Sequence, residues 1–177
     1  MKRMAFDEIY SVIEAAQKEL MQIAAVIDPA TASETLPGER WSIANVVEHI
    51  LLVEDGICRI CTRLLEKARD ENRPAPGFAV ISTAFADGLK SIAGEKKEAP
   101  DIVTPKGRKI DESLAMLNEA GARLNDLRPM FLAFDSELSK FPHPFFGDMS
   151  AAEWLLLAGE HKKRHIRQMK KLIDLAA

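Results

Sequence analysis

The chain has 177 residues, a length expected of one domain spanning 1–177 with one hydrophobic core. Apolar residues make up 47% and charged residues 29%, near the globular averages, which argues against intrinsic disorder and fibrous architecture. The 24 Lys plus Arg against 27 Asp plus Glu leave a formal charge of −3, without the positive field that generic nucleic-acid binding needs. Two cysteines are too few for a disulfide framework in a chain of this size. The opening MKRMAFDEIYSVIEAAQKEL carries charge throughout and does not read as a leader. No run approaches the roughly 18 consecutive apolar residues of a membrane span. The expectation is a cytoplasmic protein with neither a membrane nor a nucleic-acid partner.

In chain order, Phe6, Ile9, Ile13, Leu20, Ile23 and Ile27 recur at helical spacing with Glu8, Glu14, Lys18 and Glu19 between them, which predicts a first helix. The Pro-, Gly- and Ser-containing stretch DPATASETLPGER then reads as a surface connection. Ser42 can cap a second helix whose stripe is Ile43, Val46, Ile50, Val53, Ile57, Cys61 and Leu64, running to about Asp70. Between Asn72 and Lys109 lies a long connection in which FAVISTAFADGLKSIA is predicted as a short helix and EKKEAPDIVTPKG as non-helical, long enough to carry the chain back along a bundle. A third helix is predicted from about Asp111 to Phe134, with Leu114, Leu117, Leu124 and Leu127 inward and a kink or end at Pro129. The loop KFPHPFFGDM follows, and Ser150 with Glu153 forms the S-x-x-E capping box of the last helix. That helix has the stripe Trp154, Ala158, His161, His165, Met169 and Leu172. No segment shows strand alternation. Four long amphipathic helices predict an all-α four-helix bundle.

His161 and His165 lie four apart, so their side chains share one helix face about 5–6 Å apart at Cβ, within reach of a single ion. Both stand in the apolar stripe, where an unpartnered imidazole is costly to bury. His49, between Val46 and Ile50, gives a third inward imidazole from the second helix. Three neutral imidazoles leaving one coordination position open is the arrangement that lets a divalent ion lower the pKa of a bound water or thiol. The alternative is a set of core histidines satisfied by hydrogen bonds. By helical phase, Asn45 and Gln168 are candidates to orient an imidazole or touch a ligand. Glu48 and Glu160 adjoin ligand positions but diverge from them by about 100° and are expected at the surface. His143 is expected to hold the turn of its loop or cap the pocket mouth. Cys58 and Cys61 spell CxxC inside a helix, away from the N-terminal dipole that activates thiols, and read as buried small hydrophobes. Lys162, Lys163, Arg164, Arg167, Lys170 and Lys171 are expected on a solvated face opposite the histidines.

The segments WSIANVVEHILLVE, EAPDIVTP and HPFFGDMSAAEWLLLAGEHKKRHIRQM resemble the DinB-like superfamily of metalloenzymes, with the Trp-Ser helix opening, the His two turns on, and the HP-x-FG loop before HxxxH carrying the likeness. The resemblance implies an up-down-down-up bundle with a mononuclear zinc, nickel or iron site on His49, His161 and His165. It also implies a small-molecule substrate, a low-molecular-weight thiol as cosubstrate in members that are thiol-dependent transferases, and pairing as a homodimer. The function expected is a thiol-dependent S-transferase acting on small electrophiles. A metal-dependent hydrolase, or a non-catalytic bundle that binds a small ligand or partner, would use the same three histidines.

Overall fold

A computed structural model describes residues 1–92 and 98–176 of the chain. Four long helices form the body: α1 (Phe6–Ala24), α3 (Ile43–Asp70), α5 (Ile110–Asp126) and α7 (Ala151–Ala176). Shorter helices α2 (Pro29–Ser33), α4 (Thr83–Ile92) and α6 (Arg128–Ala133) lie in or beside the connections, with a 3-10 turn at Asp101–Val103. The predicted short helix is thus α4. Ala93, its predicted end, and residues 95–97 of the stretch after it lie outside the described residues.

Both predicted caps form. Ser42 Oγ accepts from Asn45 N–H at 3.2 Å, and Ser150 Oγ accepts from Glu153 N–H while Glu153 Oε2 accepts from Ser150 N–H at 3.0 Å. The third helix breaks at Leu127, because Pro129 has no N–H to continue the ladder; α6 carries on after the kink.

Side-chain contacts give the direction of each helix. Lys170 bonds Glu19 and Gly159 lies against Val12 and Ile13, so α1 and α7 run parallel. Lys162 meets Glu54 and Cys61 lies beside the Ala151 carbonyl, so α3 and α7 are antiparallel. Cys58 donates to the Ala120 carbonyl and Glu48 binds the backbone just ahead of α5, so α3 and α5 run parallel. The bundle is therefore up-down-down-up, and the crossover between α3 and α5 must return the full length of a helix.

The expectation of no strands is corrected. Among the described residues are β1 (Lys2–Met4), β2 (Ala79–Ile81), β3 (Lys140–His143) and β4 (Gly147–Ser150). β1 pairs antiparallel with β2, and β3 with β4. Each is three or four residues long, too short to show alternation in sequence. The first pair straps the segment before α1 to the crossover, and the second forms the hairpin ahead of α7.

The core has two packed regions. One gathers Phe6, Tyr10, Phe85, Phe131 and Trp154; the other gathers Leu20, Val46, Ile50, Leu117 and Met169. Gly159 lets α1 and α7 approach closely, for a Cβ there would fall 2.7 Å from Val12 Cγ1.

Candidate metal centre

The structure brings His49 from α3 together with His161 and His165 from α7. His161 Nε2 lies 3.1 Å from His49 Nε2 and 3.1 Å from His165 Nε2, and the three ligand atoms all fall within 4.8 Å of one another. The i, i+4 spacing aligns the two α7 rings, 4.4 Å apart at their centroids.

The opposite ring nitrogens are already engaged. His49 Nδ1 lies 2.7 Å from the Val103 carbonyl in the crossover's 3-10 turn, and His165 Nδ1 lies 2.8 Å from Gln168 Oε1. Both partners are acceptors, so each Nδ1 carries the proton and each Nε2 presents a lone pair. Trp41 packs against the His49 ring at 4.8 Å and limits its orientation.

This donor set fits a divalent ion. His161 Nε2 can carry at most one proton, yet it faces two lone-pair nitrogens at 3.1 Å. One cation satisfies all three at once: ligands about 2.0–2.1 Å from a tetrahedral ion stand about 3.3–3.4 Å apart. Burial lowers the pKa of all three imidazoles, followed at His161 by the charges of His165 and His49. His165 falls to about 3, with burial the main cause and the His49 charge next. All three are therefore neutral near pH 7, the state in which imidazole ligates metal. Arg164 adds positive potential at each of the three rings.

The other predicted positions are placed as follows. Gln168 meets His165 as anticipated. Asn45 is engaged at the start of α3, its Oδ1 accepting from the Ser42 N–H and hydroxyl at 3.2 and 3.1 Å. His143 holds its turn, Nδ1 accepting from Phe145 N–H at 3.1 Å while the ring packs on Phe146 and Trp154. Cys58 and Cys61 are buried free thiols, pushed up by burial to about 12 at Cys58 and well above the usual range at Cys61. Glu160 is half-buried and pairs with Lys163 at 2.9 Å.

Three surface expectations are corrected: Arg164, expected opposite the histidines, is half-buried and near enough for its charge to act on all three rings, and Glu48 and Lys162 are buried. Glu48 is 2% exposed and accepts from Gly107 and Arg108 N–H, each at 2.9 Å. The adjacent residues Glu48 and His49 thus anchor one stretch of the crossover, each by a bond to its backbone. Lys162 is 1% exposed, drawn inward by Glu54, whose Oε2 lies 2.6 Å from its Nζ. Helical phase alone assigned Lys162 by its charge, because the partner that offsets burial is remote in sequence. Trp41 and the Val103 carbonyl were not anticipated either: a main-chain acceptor leaves no side-chain signal.

The model of the DinB superfamily matches residues 13–169. The chain belongs to the DinB superfamily. Among relatives of this DinB chain, the uncharacterized protein YuaE of Bacillus subtilis (strain 168) is 26% identical over 149 residues, covering 76% of this chain and 78% of YuaE. The four-helix bundle protein TT2238 is 25% identical with a TM-score of 0.61, covering 93% of this chain and 96% of TT2238. YfiT from Bacillus subtilis, described as a probable metal-dependent hydrolase with an unusual four-helix bundle topology, is 21% identical with a TM-score of 0.55, covering 96% of this chain and 86% of YfiT. At that identity YfiT speaks to the fold alone. Among the described residues, no helix of the DinB bundle is long and apolar enough to cross a membrane.

Proposed function

We propose that this DinB chain is a mononuclear divalent-metal enzyme, with the ion held by His49, His161 and His165, and that it transfers a low-molecular-weight thiol to a small electrophile. The observation that carries the proposal is the convergence of three Nε2 atoms, two of them with Nδ1 bonded to an acceptor. A divalent ion in such a set supplies Lewis acidity that keeps a bound thiol or water deprotonated near neutral pH.

The protein's own groups supply orientation and field. Val103 and Gln168 hold two imidazoles in one tautomer. Arg164 makes the centre electropositive, which favours an anionic nucleophile such as a thiolate. Glu48 and Glu160, the carboxylates next to ligand positions, are committed to the crossover backbone and to Lys163. A hydroxide and a thiolate held on such an ion would alike need no further base. In the sulfur transfer proposed, a C–S bond forms and the leaving group departs with its electron pair. Metal-dependent hydrolysis is the second reading, since a hydroxide on the same ion would serve as the nucleophile.

The test begins with metal content of untagged protein, purified without chelator, beside a His161→Ala, His165→Ala variant with unchanged far-UV circular dichroism. Near-stoichiometric zinc, nickel or iron is expected in the first and none in the second. With monochlorobimane and L-cysteine, the metal-loaded protein is expected to accelerate thiol conjugation and the variant not to. Metal with no thiol conjugation but with hydrolysis of p-nitrophenyl acetate would replace transfer by the hydrolytic reading. No metal in either protein, even after reloading, would overturn both.

A further inference from the structure

The three-histidine centre is sealed unevenly. His49 and His165 are 5% and 6% exposed, whereas His161 is half-buried. The Nδ1 atoms of the first two are bonded. His161 Nδ1 has no hydrogen-bond partner among the described residues and is not enclosed either. The centre therefore opens at His161.

His143, at the end of β3, stands along that open side. Its ring packs against Trp154 at 5.1 Å, and Trp154 precedes His161 by about two turns on the same face of α7. Ala158, between them, is too short to divide that face. Charge on His143 is felt at His161. The hairpin tip that carries His143 is pinned in place: Phe146 packs on the His143 ring at 4.6 Å and on Phe85 of α4 at 5.4 Å, and it lies so close to Gly88 that no Cβ fits there.

The position of the imidazole proton follows from its contacts. Nδ1 accepts from Phe145 N–H at 3.1 Å, and burial lowers the His143 pKa to about 4. Near pH 7 the ring is thus neutral with its one proton on Nε2. Nε2 has no partner among the described residues and is not sealed from its surroundings. A fixed donor without an acceptor stands among the rings of Phe145, Phe146 and Trp154.

The inference deepens the transferase reading and rests on it: we propose that His143 is a substrate-binding residue, its Nε2–H donating to a carbonyl oxygen of a small apolar electrophile held between the hairpin tip and His161. A neutral imidazole among aromatic faces offers a hydrogen bond without counter-charge, which suits a carbonyl oxygen rather than a carboxylate or phosphate. The bond orients the electrophile towards the centre, and the proton stays on Nε2 throughout.

The test reads binding without turnover. The probe is tetramethylbimane, the unreactive parent of monochlorobimane, which keeps both carbonyls and has no leaving group. Fluorescence titration of the full-length protein is expected to saturate. His143→Phe keeps a ring against Phe146 and Trp154 and should weaken binding about tenfold, the loss of one hydrogen bond. His143→Gln, whose side-chain N–H reaches the Nε2 position, should restore most of the affinity, with far-UV circular dichroism and metal content unchanged in both variants. In 15N-histidine-labelled protein the His143 signals, identified by their loss in His143→Phe, should report the Nε2–H tautomer and shift saturably as the probe is added. No saturable binding, equal binding by His143→Phe, equal weakening in both variants, or an Nδ1–H tautomer would overturn the proposal. Binding that depends on His143 in a protein that conjugates no thiol would count against the transferase reading alone. Thiol conjugation with binding indifferent to His143 would count against this inference alone.

Discussion

Gln168 holds the proton side of His165 at 2.8 Å, so its contribution to a metal site is orientation and basicity. Gln168→Leu is expected to lower metal affinity about 10- to 100-fold, with Gln168→Glu restoring most of it, measured by competition with a chromophoric chelator. Asn45→Ala should leave that affinity unchanged and cost only about 1 kcal/mol of helix capping. The contrast shows what was legible in single residues. The three histidines could be placed because an imidazole in an apolar stripe is conspicuous and the i, i+4 spacing aligns two of them. Gln168 followed from phase. Asn45 had the right phase too, but the N-cap three residues earlier competes for its amide and wins. Glu48 and Lys162 could not be placed from phase, since their burial is offset by the backbone of the crossover and by Glu54.

Between elements, the parallel contact of α1 and α7 depends on a missing side chain. Gly159→Ala would put Cβ 2.7 Å from Val12 Cγ1 and 3.3 Å from the Ile13 nitrogen. The backbone atom cannot rotate away, so the helices must separate. A loss of about 1–3 kcal/mol in urea unfolding is expected. Because His161 lies two residues on, weaker metal binding should accompany it. The long helices were legible because each repeats its apolar period over many turns, and α3 and α7 also open on a recognisable cap. The short strands were not, for a three-residue strand contains no period, and the pairing of β1 with β2 joins segments distant along the chain. The break between α5 and α6 was marked by Pro129, the one residue whose chemistry forbids the continuing bond.

Across the whole molecule, the buried ionisable groups Cys58, Cys61 and Tyr10 predict an alkaline limit. Burial raises Cys58 from 9.0 to about 12 and also raises Cys61 and Tyr10. A raised folded-state pKa means the native state holds its proton more tightly than the unfolded chain. Stability is then complete below about pH 9 and falls as pH rises toward 12, by up to about 4 kcal/mol for Cys58 alone at about 1.4 kcal/mol per unit. Urea unfolding between pH 7 and 11 should show this decline, and Cys58→Ala, Cys61→Ala should flatten it. The up-down-down-up order was legible at this scale from the length of the second connection and from the family resemblance. What that connection does was not, because it acts on His49 through a main-chain carbonyl. The ligands also have an order in time. His49 stands in the second long helix to be synthesised and its two companions in the last, so a growing chain holds one imidazole and no chelate until α7 has emerged and docked. If the proposed ion is held here, its capture would be a closing event of biosynthesis, and an incomplete chain ending before residue 161 would compete for none of the cell's metal through this centre.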